Sequence, residues 1–325
     1  MKSKDSKSAW SIGEFGLIDR IREFFPQSNL QDDCAHINIE NEQLLLTCDS
    51  GVRGIHFPED EEYLFDGGFR AMAGAISDIN ASAGYPLGAL LALEVPSDLS
   101  LNGFNEFIRG IQTYSEYSAV PIVGGNITSG ANLACTINVI GKSKNPVRRN
   151  GAKFGDLVVL SGAIGASEAG RMIVLKENYP QKMDSEDIGS LVNRYLRPNP
   201  PLGLGKKLAD IGATSMIDIS DGLLADVQHI AEESEVNVYL ELDRLPLFKG
   251  VREFAATIDE TPEFFAVRSG EEFELIVTIP EKSFDRAKSI GYPLTIIGRL
   301  KKGKGLTTYF NDEQVDLKKI GWRHF

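Results

Sequence analysis

Five short segments place oxygen-bearing side chains beside expected turns or element ends: QDDCA (31–35), LTCDSGVRGIHF (46–57), ISDINASAG (76–84), GGNITSG (124–130) and DISDGL (218–223). Residues i and i+2 of a strand share a face, which puts Thr47 with Asp49 and Asp218 with Ser220. Asp221 then falls at the start of an expected helix, where backbone N–H groups point outward and can host phosphate. Asp, Thr and carbonyl oxygens are the donors that Mg²⁺ uses alongside ligand phosphates and water. Two bare carboxylates about 4 Å apart repel by about 4 kcal/mol at an effective dielectric of 20. If these aspartates converge, they do so around cations.

Each residue alone has a plainer reading. Asp221 reads as a helix N-cap, Asp32 and Asp33 as a solvated turn, and Gly124 with Gly125 as a tight turn. His56 reads as a packed or surface histidine, and KKGKG (301–305) as a hairpin turn. Asp78 is harder to dismiss, because an unpaired charge in a helix rich in Ala, Gly and Ile is costly.

The elements that must position these groups follow from periodicity. Helices are expected at 13–25, 67–84, 102–117, 168–176 and 223–233, with two more flanking the RPNPP break at 197–201. Strands are expected at 44–49, 89–95, 120–123, 133–140, 157–161, 215–219, 237–242, 273–279 and 295–299. The plan is mixed α/β in both halves of a 325-residue chain, with the basic turn NPVRRNGA (145–152) as the domain boundary.

Composition excludes several classes. A net charge of −12 argues against nucleic-acid and anionic-membrane partners. Cys34, Cys48 and Cys135 form neither a disulfide framework nor a CxxC zinc pattern, which points to a reducing, cytoplasmic setting. No stretch reads as a signal peptide or a membrane span. GKS at 141–143 fails as a P-loop because Thr136 occupies the required glycine position, and no HExxH or GxSxG occurs.

Taken in order, with SGEEFEL (269–275) and the ending GWRHF (321–325), the motifs resemble the thiamine-monophosphate kinases. That family belongs to the superfamily of aminoimidazole ribonucleotide synthetase, selenophosphate synthetase and a hydrogenase-maturation factor. The resemblance implies a two-domain aminoimidazole ribonucleotide synthetase-like fold of mixed α/β sheets. Residues 1–148 would bind ATP and metal and pair in a homodimer, and residues 149–325 would form a C-terminal α/β domain. It implies transfer of phosphate from ATP to thiamine monophosphate, with several Mg²⁺ ions. Asp33, Thr47, Cys48, Asp49, Asp78, Asn126, Asp218 and Asp221 match metal positions. Gly125, Asn126, Arg149 and Ser220 match nucleotide contacts, while His56, Glu271 and Trp322 match positions facing thiamine phosphate. Asp78, Asp221 and Arg149 are the expected catalytic groups.

The chain departs from the family pattern. Gln31 replaces a glycine, Cys48 a threonine, and Asn126 the aspartate of a GGD motif. Arg53 stands for an acidic residue, Ala75 for an asparagine, and Glu272 with Phe273 for Asp and Tyr. Asn126 keeps a carbonyl oxygen for a hard cation but removes one charge. These changes leave two rival readings: a sister ATP-dependent enzyme with another small acceptor, and a non-catalytic protein that binds nucleotide or thiamine phosphate.

Overall fold

The computed structural model describes residues 11, 13–25 and 32–317. Trp322 and Gln31 lie outside them. Among the described residues, the strands form one sheet of five and one of seven.

The first sheet has the order β1-β2-β5-β3-β4, built from β1 (Ala35–Ile39), β2 (Glu42–Val52), β3 (Tyr85–Val95), β4 (Ile122–Ser129) and β5 (Ala134–Ser143). Neighbours are antiparallel except for β3 and β4. Helices α2 (Leu64–Ala81) and α3 (Leu101–Ser118) cover one face, following α1 (Gly13–Phe24). The core there joins Leu45 and Ile137 of the sheet to Met72, Ile76 and Phe107 of the helices.

The second sheet runs β12-β11-β8-β10-β6-β9-β7. Its strands are β6 (Leu157–Ser161), β7 (Ser215–Asp218), β8 (Asn237–Glu241), β9 (Leu275–Ile279), β10 (Leu294–Lys301), β11 (Gly305–Phe310) and β12 (Glu313–Val315). β6 and β9 are buried along their whole length, so they read as continuous apolar runs. Helices α4 (Ala166–Val174), α5 (Ser185–Leu196), α6 (Leu204–Ile211), α7 (Leu223–Glu233), α8 (Val251–Thr257), α9 (Pro262–Ala266) and α10 (Phe284–Lys288) complete this half.

Most expected elements are present, and the departures have physical causes. β1 escapes a periodicity reading because it is a short edge strand with almost no buried face. β4 runs straight through Gly124 and Gly125, where a tight turn was expected. A Cβ on Gly125 would lie 1.9 Å from the Leu91 carbonyl oxygen, so glycine serves strand packing here. The 301–305 turn joins β10 to β11, but these strands flank β8 instead of pairing as a hairpin. β9 begins at Leu275, not at residue 273, because Glu271 and Phe273 adopt positive φ.

Helix α2 joins the two halves. It packs on β2, β3 and β5, and also touches β7, α5 and α6. Close approach needs small residues. A Cβ on Gly68 would sit 2.0 Å from the Phe107 carbonyl oxygen, and one on Gly110 of α3 would sit 1.9 Å from that of Phe65. Asn80 Oδ1 accepts from the Gly205 N–H at the start of α6 (3.1 Å). We therefore expect Gly110→Ala to destabilise the fold by roughly 1–3 kcal/mol through overpacking. Urea unfolding measures this, and an unchanged midpoint would show that the helices can part without cost.

Candidate functional site

Three expected metal ligands meet. Asp33 precedes β1, Asp78 lies in the last turns of α2, and Asp218 ends β7. One carboxylate oxygen from each lies within 4.8 Å of the others. Each carboxylate has its own donor: Arg149 to Asp33, the Thr47 hydroxyl to Asp78, and the Ser77 hydroxyl to Asp218. The Cys34 thiol donates to the Asp78 carbonyl oxygen at 3.4 Å.

Burial sets the electrostatics. It pushes the Asp218 carboxyl up to about 7, with repulsion from Asp33 adding to it. Asp78 is raised well above the ordinary range by burial, then by Asp49 and Asp218. Asp49 reaches about 6 through burial and its neighbours Glu271, Asp33 and Asp221. Asp33 is also raised by burial, against the opposing pull of Arg149.

A cleft of about 750 Å³ opens beside this cluster. β2 contributes Cys48 and Asp49, and the turn after it contributes His56. Ser220 and Asp221 come from the β7–α7 loop, and Glu271 from the segment before β9. Thr47 and Asp49 share the buried side of β2, as the strand period requires, while Cys48 is exposed on the opposite side. His56 Nδ1 accepts from the Val52 N–H (3.0 Å), which fixes the ring. Asp221 does not cap α7. The N-cap is Gly222 at φ +114, and the buried Asp226 reaches back to accept from Ser220 N–H (3.1 Å) and Gly222 N–H (3.2 Å).

Three expected contact residues are not brought to the cleft within one chain. Asn126 and Gly125 lie on β4, separated from Asp49 by β3 and β5. Arg149 is not part of the cleft lining, and its guanidinium is committed to Asp33.

Sequence reasoning missed Ser77, Asp226 and Arg70. Arg70 lines the cleft and pairs with Glu271. A signal existed: Asp66, Arg70, Gly74 and Asp78 recur every four residues along α2, a polar and small stripe on an otherwise apolar helix.

The donor set suits a hard divalent cation. All donors are oxygens, and Asp33 Oδ2 is buried without a hydrogen-bond partner among the described residues. The cleft arginines are already engaged: Arg70 with Glu271, Arg171 with Glu168 and Glu177, and Arg268 with Glu260.

The family models for AIR synthase related protein match at residues 31–142 (N-terminal domain) and 153–311 (C-terminal domain). The chain is similar to the thiamine-monophosphate kinase of Aquifex aeolicus, at 31% identity over 97% of this chain and 98% of that one. It is 34% identical to that of Haemophilus influenzae over 91% of both chains. It belongs to the thiamine-monophosphate kinase family. The solved structure of AaThiL complexed with AMPPCP and TMP superposes with a TM-score of 0.87 at 30% identity, covering 99% of this chain and 100% of that one. Asn126 of this chain lies on the exposed edge strand β4.

The raised carboxyls give a pH signature. An unfolded aspartate titrates near 3.8, whereas native Asp49 and Asp218 keep their protons to about 6 and about 7. The native state then binds more protons than the unfolded chain across that interval. Their stabilising contribution is full below about pH 4 and is lost as pH rises through about 7. The melting temperature of cation-stripped protein should fall across this range, and Asp218→Asn should flatten the fall. An identical slope in the variant would remove Asp218 from the titrating set.

Proposed function

We propose that this chain transfers the γ-phosphoryl group of ATP to thiamine monophosphate, giving ADP and thiamine diphosphate. The observation that carries the reading is the buried Asp33–Asp78–Asp218 cluster, with its orphaned oxygen, beside a cleft whose arginines are engaged. Such a cleft attracts polyphosphates only with divalent cations present. The family relatives and the AMPPCP and TMP of the AaThiL complex supply the two substrates.

Bound magnesium ions would supply the positive charge that lets two polyanions approach. Asp33, Asp78 and Asp218 would hold them, with Asp49 and Asp221 at the cleft side. Ser220 faces the nucleotide, and His56 and Glu271 face the acceptor. The acceptor phosphate has a second pKa near 6, so its oxygen is largely dianionic at neutral pH and no general base is needed. That oxygen bonds to the γ-phosphorus as the bond to the β-phosphate oxygen breaks, and ADP leaves with the electron pair. The chain contributes alignment and exclusion of water. Arg149 acts through Asp33 by holding and partly neutralising it.

We read the boundary of the nucleotide half at 148/149 and the working unit as a homodimer in the reducing cytoplasm. Three free thiols fit that compartment, and no described helix is long and apolar enough to cross a membrane. Exposure supports the dimer. β4 is open along its whole length, and among the described residues β1 covers only the first half of β2. Such edges are templates for a second chain. Docking β4 of one copy beside the open half of β2 in the other brings Asn126 toward Asp49, which one chain alone keeps two strands apart. Sedimentation velocity checks this: a monomer at assay concentrations would sink the dimer.

Thiamine diphosphate formation from ATP, Mg²⁺ and thiamine monophosphate is the direct test. ATP turnover only with a different acceptor would favour a sister enzyme, and binding without turnover a non-catalytic protein. We expect Asp78→Asn to lower kcat at least about a hundredfold while the melting temperature holds or rises. His56→Ala should raise the KM for thiamine monophosphate more than that for ATP. Wild-type kcat in Asp78→Asn removes Asp78 from the chemistry, and equal KM changes remove His56 from the acceptor side.

A further inference from the structure

One cleft residue remains without a part. Arg70, on the inward stripe of α2, is only 4% exposed. Its Nη2 donates to the Glu271 carboxylate, and its guanidinium carbon lies 4.2 Å from the centroid of the Tyr195 ring on α5. Its Nε and Nη1 are buried and have no hydrogen-bond partner among the described residues. The orientation of the guanidinium therefore depends on two contacts, one ionic and one on a ring face. Both partners belong to the C-terminal half, so the pair spans the cleft.

Glu271 needs such a partner. It sits at φ +52, and its N–H donates to the Ser220 carbonyl oxygen at 2.8 Å. This bond ties the acceptor-side loop to the nucleotide-side loop. The Glu271 side chain is 37% exposed and faces a cleft that also holds Asp49 and Asp221. A carboxylate among like charges turns toward water unless a cation holds it. Arg70 is the cation in contact with it, and the buried Arg70 cannot turn away with it.

We propose that Arg70 is a positioning residue for acceptor binding: it holds the Glu271 carboxylate against the acceptor, with the Tyr195 ring fixing the guanidinium plane. Arg70 thereby adds to acceptor recognition without touching the transferred group. The inference deepens the kinase reading and rests on Glu271 facing thiamine monophosphate.

The test is steady-state kinetics of the full chain and its Arg70→Gln, Arg70→Lys, Glu271→Gln and Arg70→Gln/Glu271→Gln variants. Arg70→Gln should raise the KM for thiamine monophosphate about tenfold and leave that for ATP within about twofold. Arg70→Lys should recover part of the loss, since it keeps the charge but not the planar stack. The double variant should bind acceptor no worse than Glu271→Gln alone, because the two act as one unit. A matching rise in both KM values, or additive losses in the double variant, overturns the proposal. If Arg70→Gln lacks a cooperative melt, the same comparison is made with Arg70→Lys. If the wild-type chain forms no thiamine diphosphate, the kinase reading fails separately. Calorimetric titration with thiamine monophosphate then decides Arg70: equal weakening in both single variants supports it, and unchanged affinity in Arg70→Gln overturns it.

Discussion

Repulsion between carboxylates in a low-dielectric setting is the constraint on which the other features depend. Asp33, Asp78 and Asp218 come from a loop, a helix and a strand end, and bring oxygens within 4.8 Å of one another. Water would screen such charges, but here burial removes it. The protein answers in two ways. One donor serves each carboxylate, from Arg149, Thr47 and Ser77 respectively, and protons stay bound to higher pH than an aspartate normally allows. Neither answer satisfies Asp33 Oδ2, and a divalent cation would remove that deficit.

Helix α2 makes this convergence possible. Its outer face must press on α3, so Gly68 and Gly110 let the backbones approach. Its inner stripe carries Asp66, Arg70, Gly74 and Asp78, each meeting a different partner. Asp66 pairs with Arg197 (2.7 Å) and Arg70 with Glu271, while a Cβ on Gly74 would come 3.4 Å from Asp49 Oδ2. One rigid rod thus sets the distance between the sheet carrying Asp49 and the end of β7 carrying Asp218 with the loops carrying Ser220 and Glu271. Precision on that scale is what phosphoryl transfer by alignment requires.

The cleft is unusual for a phosphate site in its charge balance. Arg70, Arg171 and Arg268 all line it, yet each is engaged by a carboxylate. Arginine here organises acidic side chains, and positive charge for phosphates would fall to bound cations. The acidic net charge of the chain, a puzzle for a nucleotide enzyme, would fit the same division of labour.

The sequence by itself placed most of the elements and singled out Asp33, Asp78 and Asp218, which the fold brings together. Asp78 stood out because a charge in an apolar helix is costly, and the strand period correctly put Thr47 with Asp49. Local rules failed where the deciding contact came from elsewhere. Asp221 looked like a helix cap, but Gly222 takes that position and Asp226 folds back one turn onto the Ser220 and Gly222 N–H groups. Gly124 and Gly125 looked like a turn, but the nearness of Leu91 on β3 keeps them in a strand. Tertiary structure alone decided that Arg149 is committed to Asp33, that Asn126 lies across the sheet from Asp49, and that Arg70 meets Glu271. The two ion pairs join residues 116 and 201 positions apart, and spacing along a chain does not reveal which distant charges will share a buried site.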